Sequence, residues 1–190
     1  ASTLSAMKLF DEGKLSLDAT LNDYIPEWLD STSYREIVLR DMLAHQAGLI
    51  PFVPFYEKTM QKGELRKGLF DSLPSETYPF RVAEKLYIRK DYPDTMMHII
   101  IGKTKKTPGE YKYSDVGYYF LQKIIEKQTG KTLDVNIQDN FYHKLGANHL
   151  TYHPRRKFPL EKIVPTEYDM LFRKQLVHGD VHDPGAAMLG

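Results

Sequence analysis

P-G-E-Y-K-Y-S-D-V-G-Y-Y-F-L-Q-K-I-I-E-K-Q-T-G-K-T-L-D, from Pro108 to Asp134, followed by N-F-Y-H-K-L at 140–145, is the stretch whose reading decides the fold. Val116, Phe120 and Ile124, with Leu121 and Ile125 beside them, recur at helical spacing, and Gly130 stands where a left-handed C-terminal residue is needed. Leu133, Ile137, Phe141 and Leu145 repeat a four-residue spacing that ends at Gly146. The pattern predicts two consecutive amphipathic helices, with Tyr113, Ser114 and Asp115 at the entrance to the first.

The rest of the chain narrows what this stretch can belong to. With 42% hydrophobic residues among 190, the chain can bury a core, and a single domain over 1–190 is the default. Its 26 basic and 25 acidic residues leave a net charge of +1, which gives no electrostatic footprint for nucleic acid and no attraction to an anionic membrane surface. The absence of cysteine excludes disulfides and thiolate chemistry. No apolar run approaches the roughly 20 residues of a membrane span. The chain begins at Ala1 already in helical pattern and closes on the apolar run Ala186 to Gly190, whereas free ends are usually polar, so it reads as an excerpt of a larger fold.

Taken in order, Leu4, Met7 and Phe10 predict a helix over 3–12 with Gly13 as its stop. Asp18, Asn22 and Pro26 break 15–29 into turns. Ser33 and Glu36 have the form of a capping box ahead of Val38, Leu39, Met42 and Leu43, a helix ending near His45 and before Gly48. Leu49 to Ser75, rich in proline and aromatics, reads as a long ordered loop. Tyr78, Phe80 and Val82, then Leu86 and Ile88, alternate as in a small hairpin. Asp91 and Pro93 open another helix through Met96, Met97, Ile100 and Ile101 to Gly102. Lys103 to Lys106 is a charge run expected in a loop, and Pro154, Pro159, Pro165 and Pro184 divide a tail without regular pattern.

Several motifs point to chemistry and fall short. Thr129-Gly130-Lys131-Thr132 ends like a phosphate-binding loop, but Ile125 occupies the place of its first glycine. His149 and His153, and His178 and His182, are four apart, a spacing that holds a metal only on a helix face, and neither segment reads as helical. No G-x-S-x-G elbow is present. The one S-x-x-K, Ser5 to Lys8, sets serine and lysine a helical turn apart, as a lysine-activated nucleophile requires.

The string A-M-K-L-F-D-E-G-K-L-S-L-D from Ala6 to Asp18 resembles the helix that follows the nucleophile in penicillin-recognising serine hydrolases of the class C β-lactamase-like family. Leu39 to Leu49, L-R-D-M-L-A-H-Q-A-G-L, is similar to that family's L-L-T-H-T-S-G-L. P-G-E-Y-K-Y-S-D-V-G-Y-Y-F-L resembles its P-G-x-x-x-Y-S-N-x-G-Y-x-L-L, and L-G-A-N-H-L-T at 145–151 its P-L-G-M-x-x-T.

The resemblance implies catalytic roles for Tyr113, as a proton handler beside the nucleophile's lysine, and for Asp115, where the family carries asparagine. A phenol has an ordinary pKa of about 10, so acting as a base at neutral pH needs a nearby positive charge. An ionised Asp115 cannot donate to a substrate carbonyl as an asparagine amide does, a departure that counts against β-lactam turnover. His45 is assigned to packing. By the same alignment the family's S-x-x-K precedes residue 1, which makes the Ser5 to Lys8 match accidental, and its K-T-G or H-T-G strand follows residue 190.

The implied fold is mainly α, the helical central region of a β-lactamase or transpeptidase-like domain truncated at both ends. It has about five helices, a small β-hairpin over 78–90 and long ordered loops. The implied function is acyl-serine hydrolysis of a small-molecule or peptidoglycan-peptide substrate, outside the cytoplasm and with no cofactor. The isolated chain is expected to be inactive, and surface bared by truncation invites a dimer. The competing expectations are a non-catalytic binding or scaffold domain of the same fold, and a metal-binding domain built on the tail histidines.

Overall fold

The computed structural model describes residues 1–103 and 107–188. The expected loop over Lys103 to Lys106 therefore lies outside the described residues beyond Lys103. The chain divides into two compact units, Ala1–Val53 with Met97–Thr151, and Pro54–Met96 with the chain from Tyr152 onward.

The first unit is helical, and its axis is the predicted long helix. Val116–Thr129 buries Val116, Phe120, Leu121, Ile124 and Ile125, and Gly130 caps it at φ 66°. Phe120 also lies against the ring of the fully buried Tyr34, whose hydroxyl donates to the carbonyl of Lys103 at 3.0 Å. The next helix, Leu133–Ile137, widens into a π-helix over Gln138–Tyr142. A π turn rotates side chains out of the four-residue register, so Ile137 is buried while Leu145 is exposed.

The first helix, Ser2–Asp11, ends as expected before Gly13, but its face is turned. Ser5, Ala6 and Leu9 are buried, and Leu4, Met7 and Phe10 are exposed. Ser5 Oγ is buried without a hydrogen-bond partner, and Lys8 reaches Glu12 at 2.6 Å. A buried unpaired hydroxyl costs about 1–3 kcal/mol. Ser5→Ala is therefore expected to stabilise the chain by about 1 kcal/mol in urea denaturation. Destabilisation by a similar amount would mean that the hydroxyl has a partner.

The capping box expected at Ser33 and Glu36 forms elsewhere. Thr20 and Asp23 make it, at the start of Leu21–Tyr24. Residues 37 and 38 are not helical because their backbone is committed to the segment at 20–21, and the helix starts only at Leu39. Leu21 N donates to Ile37 O, Leu39 N donates to Ala19 O, and Thr20 bridges Val38 antiparallel. Pro26–Leu29 and Leu39–Leu43 add two more single-turn helices.

The second unit overturns the mainly α expectation. Among the described residues the chain has nine α-helical segments and three small sheets, 38% helix and 13% strand, a mixed α/β fold and not a mainly α one with about five helices. The expected hairpin is present as Phe80–Ala83 against Leu86–Ile88, but Phe70–Asp71 adds a third strand on the other side of Leu86–Ile88. Within the expected loop over 49–75 lie the helix Phe55–Lys58 and the pair Met60–Gln61 with Glu64–Leu65. The tail forms a hairpin, Pro165–Asp169 with Gln175–His178.

That last hairpin is organised by charge. The Arg173 side chain has no exposed surface; its Nε donates to Asp169 at 2.8 Å, one terminal nitrogen to Glu167 at 3.1 Å and to the carbonyl of His182 at 2.7 Å, and the other to the carbonyl of Val181 at 2.7 Å. Asp180 takes both arms of Arg81 at 2.8 and 3.0 Å. Burial alone would depress the Arg81 guanidinium, but the Asp180 carboxylate more than offsets it and holds the arginine above its ordinary value. Two-residue strands and a hairpin with a buried arginine carry no apolar alternation, which is why periodicity does not find them.

Candidate active site

The candidate site lies within the helical unit, where the loop from Pro108 to Asp115 meets the turn after Leu39–Leu43. That helix ends at Ala44, and the chain reverses through His45 at φ 58° and Gly48 at φ 70°. The two segments are laced by backbone bonds: Gly109 N to Gln46 O at 2.9 Å, Lys112 N to His45 O at 2.8 Å, and Asp115 N to Pro51 O at 3.0 Å. Ser114 is the side chain at the centre. Its hydroxyl donates to Ile50 O at 2.6 Å and accepts from Val116 N at 3.2 Å, so it serves an otherwise open amide at the start of the long helix. Its own amide donates to Nδ1 of His45 at 3.2 Å.

With that task taken by Ser114, Asp115 makes no side-chain cap, and its carboxylate is available to Tyr113. Tyr113 is 55% exposed, accessible to any group that approaches this face. A hydrogen bond to Asp115, and then the negative charge of that carboxylate, raise the Tyr113 phenol above its ordinary value. Asp115→Asn is accordingly expected to bring the phenol titration of Tyr113 back toward 10, read from the Cζ carbon resonance. An unchanged titration would remove the carboxylate as the cause. Exposed Tyr111 and Tyr118 complete a rim of phenols.

Beneath the rim, Met42, Leu43, His45, Ser114, Gly117, Tyr118 and Leu121 line a cleft with about 10 Å³ of free space, about the room of one water. Gly117 keeps the two helices close, since a Cβ there would stand 3.0 Å from Cγ of Met42.

The two sequence-predicted residues, Tyr113 and Asp115, are thus brought together. The sequence set Ser114 at the entrance of the helical pattern, where a serine caps, but its bonds to Ile50 and His45 are visible only in the structure. Of the tail histidines, His178 bonds to the carbonyl of Ile163, and His182 pairs with Glu167 at 2.8 Å. No group of three or more potential metal ligands occurs among the described residues, and no helix among them is long and apolar enough to cross a membrane.

Comparison with known proteins places this arrangement. The family model for beta-lactamase matches residues 1–169. A candidate D-alanyl-D-alanine carboxypeptidase of Escherichia coli strain K12 is 30% identical, over 98% of this chain and 42% of its own length. An N-acetylmuramyl-L-alanine amidase of Bacillus subtilis strain 168 is 27% identical, over 98% of this chain and 41% of its own. The chain spans about two fifths of the length of these relatives. Among solved structures, the octameric penicillin-binding protein homologue from Pyrococcus abyssi shares the fold with a TM-score of 0.59 and 22% identity, over 94% of this chain and 36% of that one. The family match covers the helix before Gly13, the Ser114 lacing and the long helix alike, and by it the chain belongs to the beta-lactamase family.

Proposed function

We propose that this chain is part of a serine hydrolase of the β-lactamase, D,D-peptidase or esterase type, acting through an acyl-serine, with Tyr113 moving the serine proton. The observation that carries the reading is the exposed phenol of Tyr113, two residues before Asp115 on a turn laced at five points. The names of the relatives support cell-wall peptides as the substrate class and an extracytoplasmic site of action. In the reaction the serine hydroxyl adds to the substrate carbonyl as its proton passes to the Tyr113 oxygen, and the leaving group departs with that proton. Because Asp115 raises the phenol, the base role needs a cation close enough to outweigh it.

The isolated chain is proposed to be inactive, since Ser5 is buried and Lys8 is engaged with Glu12. Incubation with a fluorescent penicillin is expected to yield no covalent adduct, and an adduct on Ser5 by mass spectrometry would reverse the assignment. The raised phenol favours a second reading, a non-catalytic scaffold of the same fold. Tyr113→Phe in the longer protein separates the two, because the enzyme reading requires acylation to slow by about 100-fold or more and the scaffold reading shows none to slow. Self-association through an apolar face is part of the proposal as well. Leu4, Met7 and Phe10 form the candidate face, and sedimentation equilibrium reads the outcome.

A further inference from the structure

His45 combines a strained backbone with a ring engaged on two sides. Its φ of 58° lies in the left-handed region, a strained conformation for a residue bearing a side chain that persists only where the surroundings hold it. What holds it is the Tyr113 loop. The carbonyl of His45 accepts from Lys112 N at 2.8 Å, the ring lies tilted against Tyr113 with centroids 4.7 Å apart, and Nδ1 accepts from Ser114 N at 3.2 Å. Tyr111 stands edge-on to the same ring at 6.0 Å. Three consecutive residues are thus held by one, through its backbone, its ring face and its ring nitrogen.

We infer that His45 is the positioning residue of Tyr113. As the neutral tautomer with its proton on Nε2, it ties the Ser114 amide and the Tyr113 ring together and fixes the direction of the phenol. The inference rests on the reading of Tyr113 as the proton-handling group. The tautomer follows from the bond, because a ring nitrogen that accepts an N–H cannot itself carry a proton. Packing alone does not ask for a tautomer, since an apolar ring fills the same space. The two contacts are separable by substitution. Asparagine sets an acceptor oxygen near the position of Nδ1 and tolerates the left-handed backbone, but has no ring. Phenylalanine keeps a ring and has no acceptor. Alanine has neither.

The 190-residue chain, labelled with 15N and 13C, tests this without any substrate. Long-range 1H–15N correlation of the His45 imidazole is expected to show the proton on Nε2. Hydrogen exchange at the Ser114 amide is expected to be slow in the native chain and in His45→Asn, and about tenfold faster in His45→Phe. In His45→Ala the Tyr113 phenol is expected to titrate lower, as its contact with Asp115 loosens. A proton on Nδ1, or equal Ser114 exchange in the native chain and His45→Phe, or an unmoved Tyr113 titration in His45→Ala, overturns the inference. If His45→Ala does not fold, the native tautomer and the asparagine and phenylalanine variants still decide it. These observables are separate from the enzymatic reading: a longer protein that acylates normally as Tyr113→Phe would sink the proton-handling role while the His45 geometry stood as measured.

Discussion

Arg173→Ala is expected to destabilise the second unit by about 3–5 kcal/mol. The guanidinium has no exposed surface, and its removal takes the arginine donor from the carbonyls of Val181 and His182 and the balancing positive charge from Asp169 and Glu167, leaving these two with backbone amides and His182. Losing one partner of a buried ion pair costs far more than the pair's net worth, because an uncompensated charge stays behind. Hydrogen exchange is the suitable readout, since a chain of two compact units need not unfold in one step. The amides of Gln175–His178 should lose protection while those of Val116–Thr129 keep theirs; a loss below about 1 kcal/mol would show that water or other donors replace the arginine.

The same pair makes an acid signature. Burial would raise the Asp169 carboxyl, but the Arg173 guanidinium and the amides of Phe172, Arg173 and Leu171 lower it below its ordinary 3.8. A carboxyl depressed in the folded state contributes stability that is fully present above its unfolded value and is lost as pH falls through the folded one. The native chain should therefore weaken on acidification below about pH 4, and Arg173→Ala should weaken less steeply there because part of the depression is gone.

Phe120→Ala is expected to cost the helical unit about 3–5 kcal/mol, by lost burial and the cavity left against Tyr34. Phe120 is fully buried on the inner face of the longest helix, and its ring lies 5.8 Å from that of Tyr34. Phe120→Leu, which refills most of the volume, should cost less than half as much. Denaturant midpoints followed by far-ultraviolet circular dichroism report the difference, and equal losses for the two variants would mean that cavity volume is not what the site senses.

The contrast between these two substitutions is also the contrast in what could be read from the chain. Phe120 was legible because its neighbours four residues away, Val116 and Ile124, are apolar and a glycine closes the helix at Gly130. Arg173 was not, because an arginine is written the same way whether solvated or enclosed by Asp169 and Glu167. The first helix shows a subtler failure. Its apolar triad Leu4, Met7 and Phe10 is real as a pattern, yet the helix packs through Ser5, Ala6 and Leu9, since the long helix and Leu133–Ile137 offer a surface that small side chains approach most closely.

At the site, Tyr113 and Asp115 came from motif resemblance, and the upward pull of the carboxylate on the phenol from the structure. Their neighbours Ser114 and His45 show why the step was needed. Serine before a helix is a common cap, and histidine after one is a common packing residue; only the return of the chain at Gly48 brings one onto the other.

What the sequence by itself determined is the local and periodic part: the long helix and its glycine stop, the hairpin at Phe80–Ala83 and Leu86–Ile88, and a pattern strong enough to mark the family. What only the tertiary structure decided is which groups meet across tens of residues of chain. These are the backbone of 19–21 with 37–39, the ring of His45 with Ser114, and Arg173 with its carboxylates. Periodicity records which way side chains point along one element, whereas those pairings are set by hydrogen-bond donors and charges finding partners on another, and a buried donor without one would cost more than the turn that delivers it.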